Sequence, residues 1–113
     1  MKATNCTNDK ELAGSLQVAD SLLQRMKGLL GRKTMSYGEG LWIRPCMGVH
    51  TFGMHFPIDI LFLDREQVVI ASKSAFAPNR LTPVYVKAAS VLELPAGIIE
   101  KTATNPGDRI ALG

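Results

Sequence analysis

Cysteine is scarce in this sequence. Only Cys6 and Cys46 are present, forty positions apart, which excludes the dense disulfide framework of a small secreted scaffold and leaves one bridge open. Long apolar runs are missing as well. Ile60-Leu-Phe-Leu63 falls far short of the ~20 residues a membrane-spanning helix requires. The opening MKATNCTNDKELAG has no apolar run after its lysine, so no signal peptide is read and the expected location is the cytoplasm. No repeat and no low-complexity tract interrupts the chain. Charge of one sign is not concentrated either. The net charge is +3 and the pI near 9.1, but the one dense basic cluster is Arg25, Lys27, Arg32 and Lys33. Cations there suit the solvent side and last turn of a helix. Without a basic patch, no nucleic-acid partner is expected.

What the chain does have is an ordinary globular balance, 46% apolar and 20% charged over 113 residues, enough for one domain with one core. Residues 1–11 are polar and read as an N-terminal tail, and residues 12–113 as the domain. Leu12–Ala19 reads as a first strand. Asp20 and Ser21 offer a helix N-cap, and Leu22, Leu23, Met26, Leu29 and Leu30 form one apolar face ending near Gly31, suited to covering a sheet. Gly28 inside that helix implies close packing against a neighbouring backbone. The chain then turns β-rich. Strands are expected at Leu41–Arg44, at Val49–Met54 and at one or two places within Val84–Leu94. The hairpin Ile58–Leu63 to Val68–Ser72 is the clearest signal. Ala77–Pro83 reads as a loop and Ile98–Thr102 as a short helix. Asn105-Pro-Gly-Asp108 has the pattern of a type II turn, and Ile110–Leu112 closes the fold. The class is α+β: a curled, mostly antiparallel sheet or small barrel with one main amphipathic helix.

Chemistry concentrates in CMGVHTFGMHFPID, residues 46–59, which holds both histidines, one cysteine and a carboxylate. Cys, His and Asp are good transition-metal ligands, but the spacing resists convergence. An extended Cys46–His50 would put its ends roughly 13 Å apart, and His50 and His55 fall on opposite faces of a regular strand. A turn at Met47-Gly48 and a bulge at Gly53 would both be needed. Cys46 with a histidine and Asp59 also has the residue types of a thiol enzyme, though no helix N-terminus or glycine elbow stands at Cys46 to lower its pKa. Asp59 lies in a strand apolar on both faces and must be hydrogen-bonded or paired there. Backbone N–H groups of a neighbouring loop are its expected partners. Glu93, between two leucines, reads as alternating outward.

Four motifs in order carry a family resemblance: Gln24-Arg-Met-Lys-Gly-Leu-Leu-Gly-Arg32; His50-Thr-Phe-Gly-Met54 with Pro57-Ile-Asp-Ile-Leu-Phe-Leu-Asp64; Val91-Leu-Glu-Leu-Pro-Ala-Gly97; and Pro106-Gly-Asp-Arg109. Together the chain resembles the domain of unknown function 192 family, small bacterial and archaeal proteins without an assigned activity. The resemblance implies a compact β-rich α+β domain. It marks Gly28, Leu29, Met54, Pro57, Asp59, Glu93, Pro95, Gly97 and Asp108 as motif positions, mostly with roles in the fold. Many relatives carry an export or anchoring segment, which is not read here. Gly53 and His55-Phe56 stand where relatives often carry a tryptophan and a lysine-asparagine pair, which assigns the histidines to a subgroup.

The expected function is a non-enzymatic module that binds a small molecule or a partner protein through the surface around His50, Met54 and Asp59, with His55 and Cys46 nearby. No cofactor is expected. Two alternatives use Cys46, His50, His55 and Asp59 differently, as a Cys/His hydrolase or thiol enzyme, or as a metal-binding protein.

Overall fold

The computed structural model describes residues 1–113, the side chain of Leu22 excepted. In chain order its elements are β1 (Ala3–Asn5), β2 (Lys10–Ala13), β3 (Ser15–Ala19), α1 (Leu22–Lys27), β4 (Glu39–Ile43), β5 (Ile58–Leu63), β6 (Val69–Phe76), β7 (Ser90–Pro95), α2 (Ile98–Lys101) and β8 (Ile110–Leu112). All six residues of β5 and all six of β7 are buried. Strands with no polar face belong in the middle of a sheet covered on both sides, and these two pair antiparallel at the centre of a five-stranded sheet, β3-β4-β7-β5-β6. β3 and β4 are parallel, with α1 between them in sequence, and the other pairs are antiparallel. A second sheet, β2-β1-β8, is antiparallel. Both sheets are open, so the α+β expectation holds and the small-barrel form of it does not. The Cα radius of gyration, 12.4 Å, compares with about 13 Å for a single folded domain of this length.

Register sorts the central side chains between two cores. Trp42 lies opposite Leu92, Leu61 opposite Leu92, and Asp59 opposite Leu94. That face packs against Ala3, Leu12, Leu16, Ile98, Ile99 and Ile110. Glu93 lies opposite both Leu41 and Ile60. Its face carries Ile43, Ile58, Phe62 and Val91 and is covered by Leu29, Met35 and Met54. The two carboxylates of the central strands therefore point to opposite sides of one sheet.

Residues 1–11, read as a tail, are structured. Ala3 and Asn5 are fully buried in β1. The Asn5 amide donates to Thr104 Oγ1 at 3.1 Å and Asp108 Oδ2 at 2.9 Å, so its environment comes from the far end of the chain. α1 is also shorter than its apolar periodicity suggests. Ser21 caps it as expected, accepting from Gln24 N–H at 3.1 Å while Gln24 Oε1 reaches back to Ser21 N–H. Gly28 then takes φ 48° and ends the helix at Lys27, because left-handed backbone cannot continue a right-handed helix. The face meant to cover the sheet is divided: Leu29 is buried beyond the helix end, whereas Leu23 and Met26 are exposed. One further correction concerns a strand: Val49–Met54 is irregular chain with one isolated bridge, His50 to Leu81. Of the one or two strands expected within Val84–Leu94, one forms, β7. The β5–β6 hairpin, the Ile98 helix and the closing strand stand as expected. At the Asn105–Asp108 turn, Gly107 has φ 96° and Asp108 N–H donates to Asn105 O at 3.0 Å.

Candidate functional site: an acid-floored cleft beside the first helix

Leaving β4, the chain runs through Pro45 into Cys46–Pro57 without joining either sheet. The neighbouring loop, residues 77–89, holds it instead. Cys46 N–H donates to Ala89 O at 3.1 Å, Thr82 N–H to Val49 O at 3.0 Å, and Thr51 N–H to Arg80 O at 2.9 Å. The fully buried Thr51 hydroxyl donates to Ala77 O at 2.7 Å. Gly48 lets the two loops touch, since a Cβ there would meet Pro83 O at 3.1 Å.

Between this loop, the end of α1 and the turn after it lies a cleft of about 290 Å³. Its walls are largely apolar: Met26, Leu29, Leu30, Ile43, Val49 and Met54, with Arg25, Lys27 and His50 also lining it. Cys46 and Glu93 line it too. Glu93 is 4% exposed, and among the described residues its carboxyl has no hydrogen-bond or ion-pair partner. Burial pushes its pKa up to about 7, because a carboxylate taken out of water without compensation favours its neutral form.

Of the side chains singled out in residues 46–59, Cys46, His50 and Met54 line the cleft together. His50 is exposed and stacks on Phe52, ring centroids 5.4 Å apart. His55 is exposed and is not part of the lining. Asp59 sits on the opposite face of the sheet, fully buried. Its Oδ1 accepts Ala75 N–H at 2.8 Å, and its Oδ2 accepts Gly97 N–H at 3.1 Å and Ile99 N–H at 2.8 Å. These are the backbone partners expected of it. Gly97, the N-cap of α2, makes no side-chain cap bond, so Asp59 satisfies the orphan donors of that helix start from β5. It is therefore not available to a ligand beside His50 and Met54.

The thiol and metal alternatives meet the same geometry. Cys46 Sγ donates to Gly48 O at 3.1 Å, and among the described residues it makes no bond to either histidine. Burial raises its pKa, with the Glu93 charge adding to the rise and Arg25 opposing it, so the thiolate that nucleophilic chemistry needs is disfavoured. No group of three or more His, Cys, Asp or Glu side chains among the described residues could hold one metal ion. Cys6 and Cys46 are both free thiols.

Glu93 is the residue that sequence reasoning placed wrongly, facing outward. A usable signal was present. Its same-face neighbours along a strand are Val91 and Pro95, both apolar, so an outward face there would have been a poor solvent face. The remaining motif positions serve the framework: Gly28 and Gly97 take positive φ, Pro57 precedes β5 and Pro95 ends β7, Leu29 packs in the core, and Asp108 accepts from Asn5 and Asn105.

Fold and site together define a two-sheet α+β domain with a small cleft against one face of its larger sheet. The chain belongs to the DUF192 family, described as an uncharacterized ACR, which it matches over residues 3–112. It is 30% identical to the UPF0127 protein of Thermococcus sibiricus over 111 residues, covering 94% of this chain and 71% of that one. Over 109 residues it is 30% identical to the UPF0127 protein PF1050 of Pyrococcus furiosus, covering 94% and 93%. Two crystal structures share the fold at 20% identity: a protein of unknown function from Novosphingobium aromaticivorans, with a TM-score of 0.84 over 98% of this chain and 82% of that one, and a putative transcription regulator from Sinorhizobium meliloti, with a TM-score of 0.83 over 97% and 89%. Among the described residues, no helix is long and apolar enough to cross a membrane.

Proposed function

We propose that this domain is a non-enzymatic small-molecule-binding module whose ligand occupies the cleft between α1 and the Glu93 face of the sheet. His50 and Met54 keep their place in the binding surface, and Glu93 takes the place first given to Asp59. One observation carries the proposal: Glu93, a residue only 4% exposed, borders the cleft, and its carboxyl has no partner among the described residues. An uncompensated buried carboxyl costs stability, and a hydrogen-bonding ligand would supply the missing partner. Apolar walls around a few convergent polar groups are the usual make-up of a small-ligand site. The two free thiols suit a reducing compartment such as the cytoplasm.

A fragment screen by ¹H–¹⁵N NMR tests this. Binding fragments should shift the amides of Ile43, Met54 and Glu93 together, since these line the cleft and not the neighbouring groove. If hits leave those amides unmoved and shift Met47, Leu81 and Val84 instead, the cleft is not the site. That second surface, a groove of about 790 Å³ with Leu81 and Val84 exposed, favours a partner protein as the other reading, since exposed apolar patches commonly serve protein contacts.

A further inference from the structure

We infer that the ligand is a small aminocarboxylate, held with its ammonium group on the Glu93 carboxyl and its carboxylate among the N–H donors of Arg25 and Lys27 in the lining of the same cleft. This rests on the cleft being the binding site and adds the chemistry of what fills it.

Three features of the cleft combine. Its acid is nine-tenths buried and unpartnered among the described residues. A ligand ammonium supplies both the charge and the donors an ionised carboxyl lacks there. Next, Leu29, Ile43 and Met54 make the space above the acid apolar, which suits a short hydrocarbon body. Arg25 and Lys27, from the last turn of α1, bring positive charge to the same cleft. Arg25 Nη1 donates to Pro45 O at 3.3 Å, which uses one of the five donors of a guanidinium. Among the described residues no ion pair joins Glu93 to either cation, the three ion pairs being Lys2–Glu11, Arg32–Glu39 and Arg44–Asp20. The cleft thus holds an acid and two cations in one lining, unpaired with each other, among apolar side chains. A zwitterion with a short apolar body matches both, whereas a simple amine leaves the cations unmatched and a simple carboxylate leaves the acid unmatched. A volume near 290 Å³ sits at the low end for small-molecule sites, in keeping with a ligand of amino-acid size.

The arrival of an ammonium group also drives Glu93 to ionise. With its pKa near 7, binding at neutral pH should release a fraction of a proton to solvent.

Titration calorimetry with four probes of matched chain length tests the inference: norleucine, its isomer ε-aminocaproate, n-hexylamine and n-hexanoate. At least one aminocarboxylate should bind about tenfold or more tightly than both n-hexylamine and n-hexanoate, and its heat should depend on the ionisation enthalpy of the buffer. Comparison of the two isomers reads the separation of the charges. Glu93→Gln, which is expected to fold, should weaken that aminocarboxylate at least tenfold, and Arg25→Gln with Lys27→Gln should narrow its advantage over n-hexylamine. The inference is overturned if n-hexanoate or n-hexylamine binds as well as the tighter of the two aminocarboxylates, if binding survives Glu93→Gln, or if none of the probes binds. In the last case, NMR hits at Ile43, Met54 and Glu93 would still uphold the cleft as a site for another ligand class.

Discussion

Glu93→Gln should flatten the pH dependence of this domain's unfolding, gaining stability relative to the parent as pH rises. In the folded protein the Glu93 carboxyl titrates near 7 instead of 4.5 because it is buried without a partner. Below the unfolded-chain value, both states hold the proton and the group contributes no pH dependence. As pH rises, the unfolded chain gives up its proton first while the folded one retains it, so folding stability falls through the interval from 4.5 to about 7 and then levels off. At ~1.4 kcal/mol per tenfold difference in proton affinity, the loss over that interval is about 3 kcal/mol. That is a substantial share of the roughly 5–15 kcal/mol by which a domain is stable. Glutamine cannot ionise, so the variant lacks the whole effect. Its buried amide brings an offset of about 1–3 kcal/mol that does not change with pH, so the diagnostic quantity is a difference of differences. Urea unfolding of both proteins from about pH 4 to about pH 8, with matched m-values, supplies it. The stability gap between variant and parent should move by about 3 kcal/mol in favour of the variant. Curves that stay parallel within about 1 kcal/mol would refute the placement of Glu93 as a buried, uncompensated acid.

Asp59→Ala should cost about 3 kcal/mol or more at neutral pH, because three backbone N–H groups lose a charged acceptor and two of them start α2. Urea unfolding measures this cost, and a loss below about 1 kcal/mol would contradict a capping role for Asp59. In a Cys6→Ser background, alkylation of Cys46 by iodoacetamide should rise only above the ordinary thiol value of 9.0, and Glu93→Gln should lower that midpoint because the Glu93 charge is one of the causes that raise it. Rapid labelling near neutrality would instead reveal an activated thiolate and restore the thiol-enzyme alternative.

The elements legible in the sequence are those whose causes are local. The β5–β6 hairpin announces itself through an apolar run on both faces followed by Asp64-Arg-Glu-Gln67. In the structure Asp64 Oδ1 accepts Glu66 and Val68 N–H groups and Gln67 takes φ 62°, a turn the side chain can build alone. The Ser21 cap is similarly local. The length of α1 was misjudged because the 3.6-residue pattern continues past Gly28 while the backbone does not. Strand β1 was invisible for a different reason. Asn5 is polar, and nothing near it in sequence shows that Thr104 and Asp108 will receive it in the core.

The candidate site divides along the same line. The sequence by itself determined the residue types near the cleft, the need of Asp59 for backbone donors, and the family to which the chain belongs. Only the tertiary structure decided which carboxylate faces the cleft. Asp59 and Glu93 lie on neighbouring strands, and the pairing of Ile60 with Glu93 and of Asp59 with Leu94 sends them to opposite faces of one sheet. A shift of one residue in that pairing would exchange the faces. Register is set by how two distant segments bury their apolar side chains together, which no stretch of either segment specifies alone.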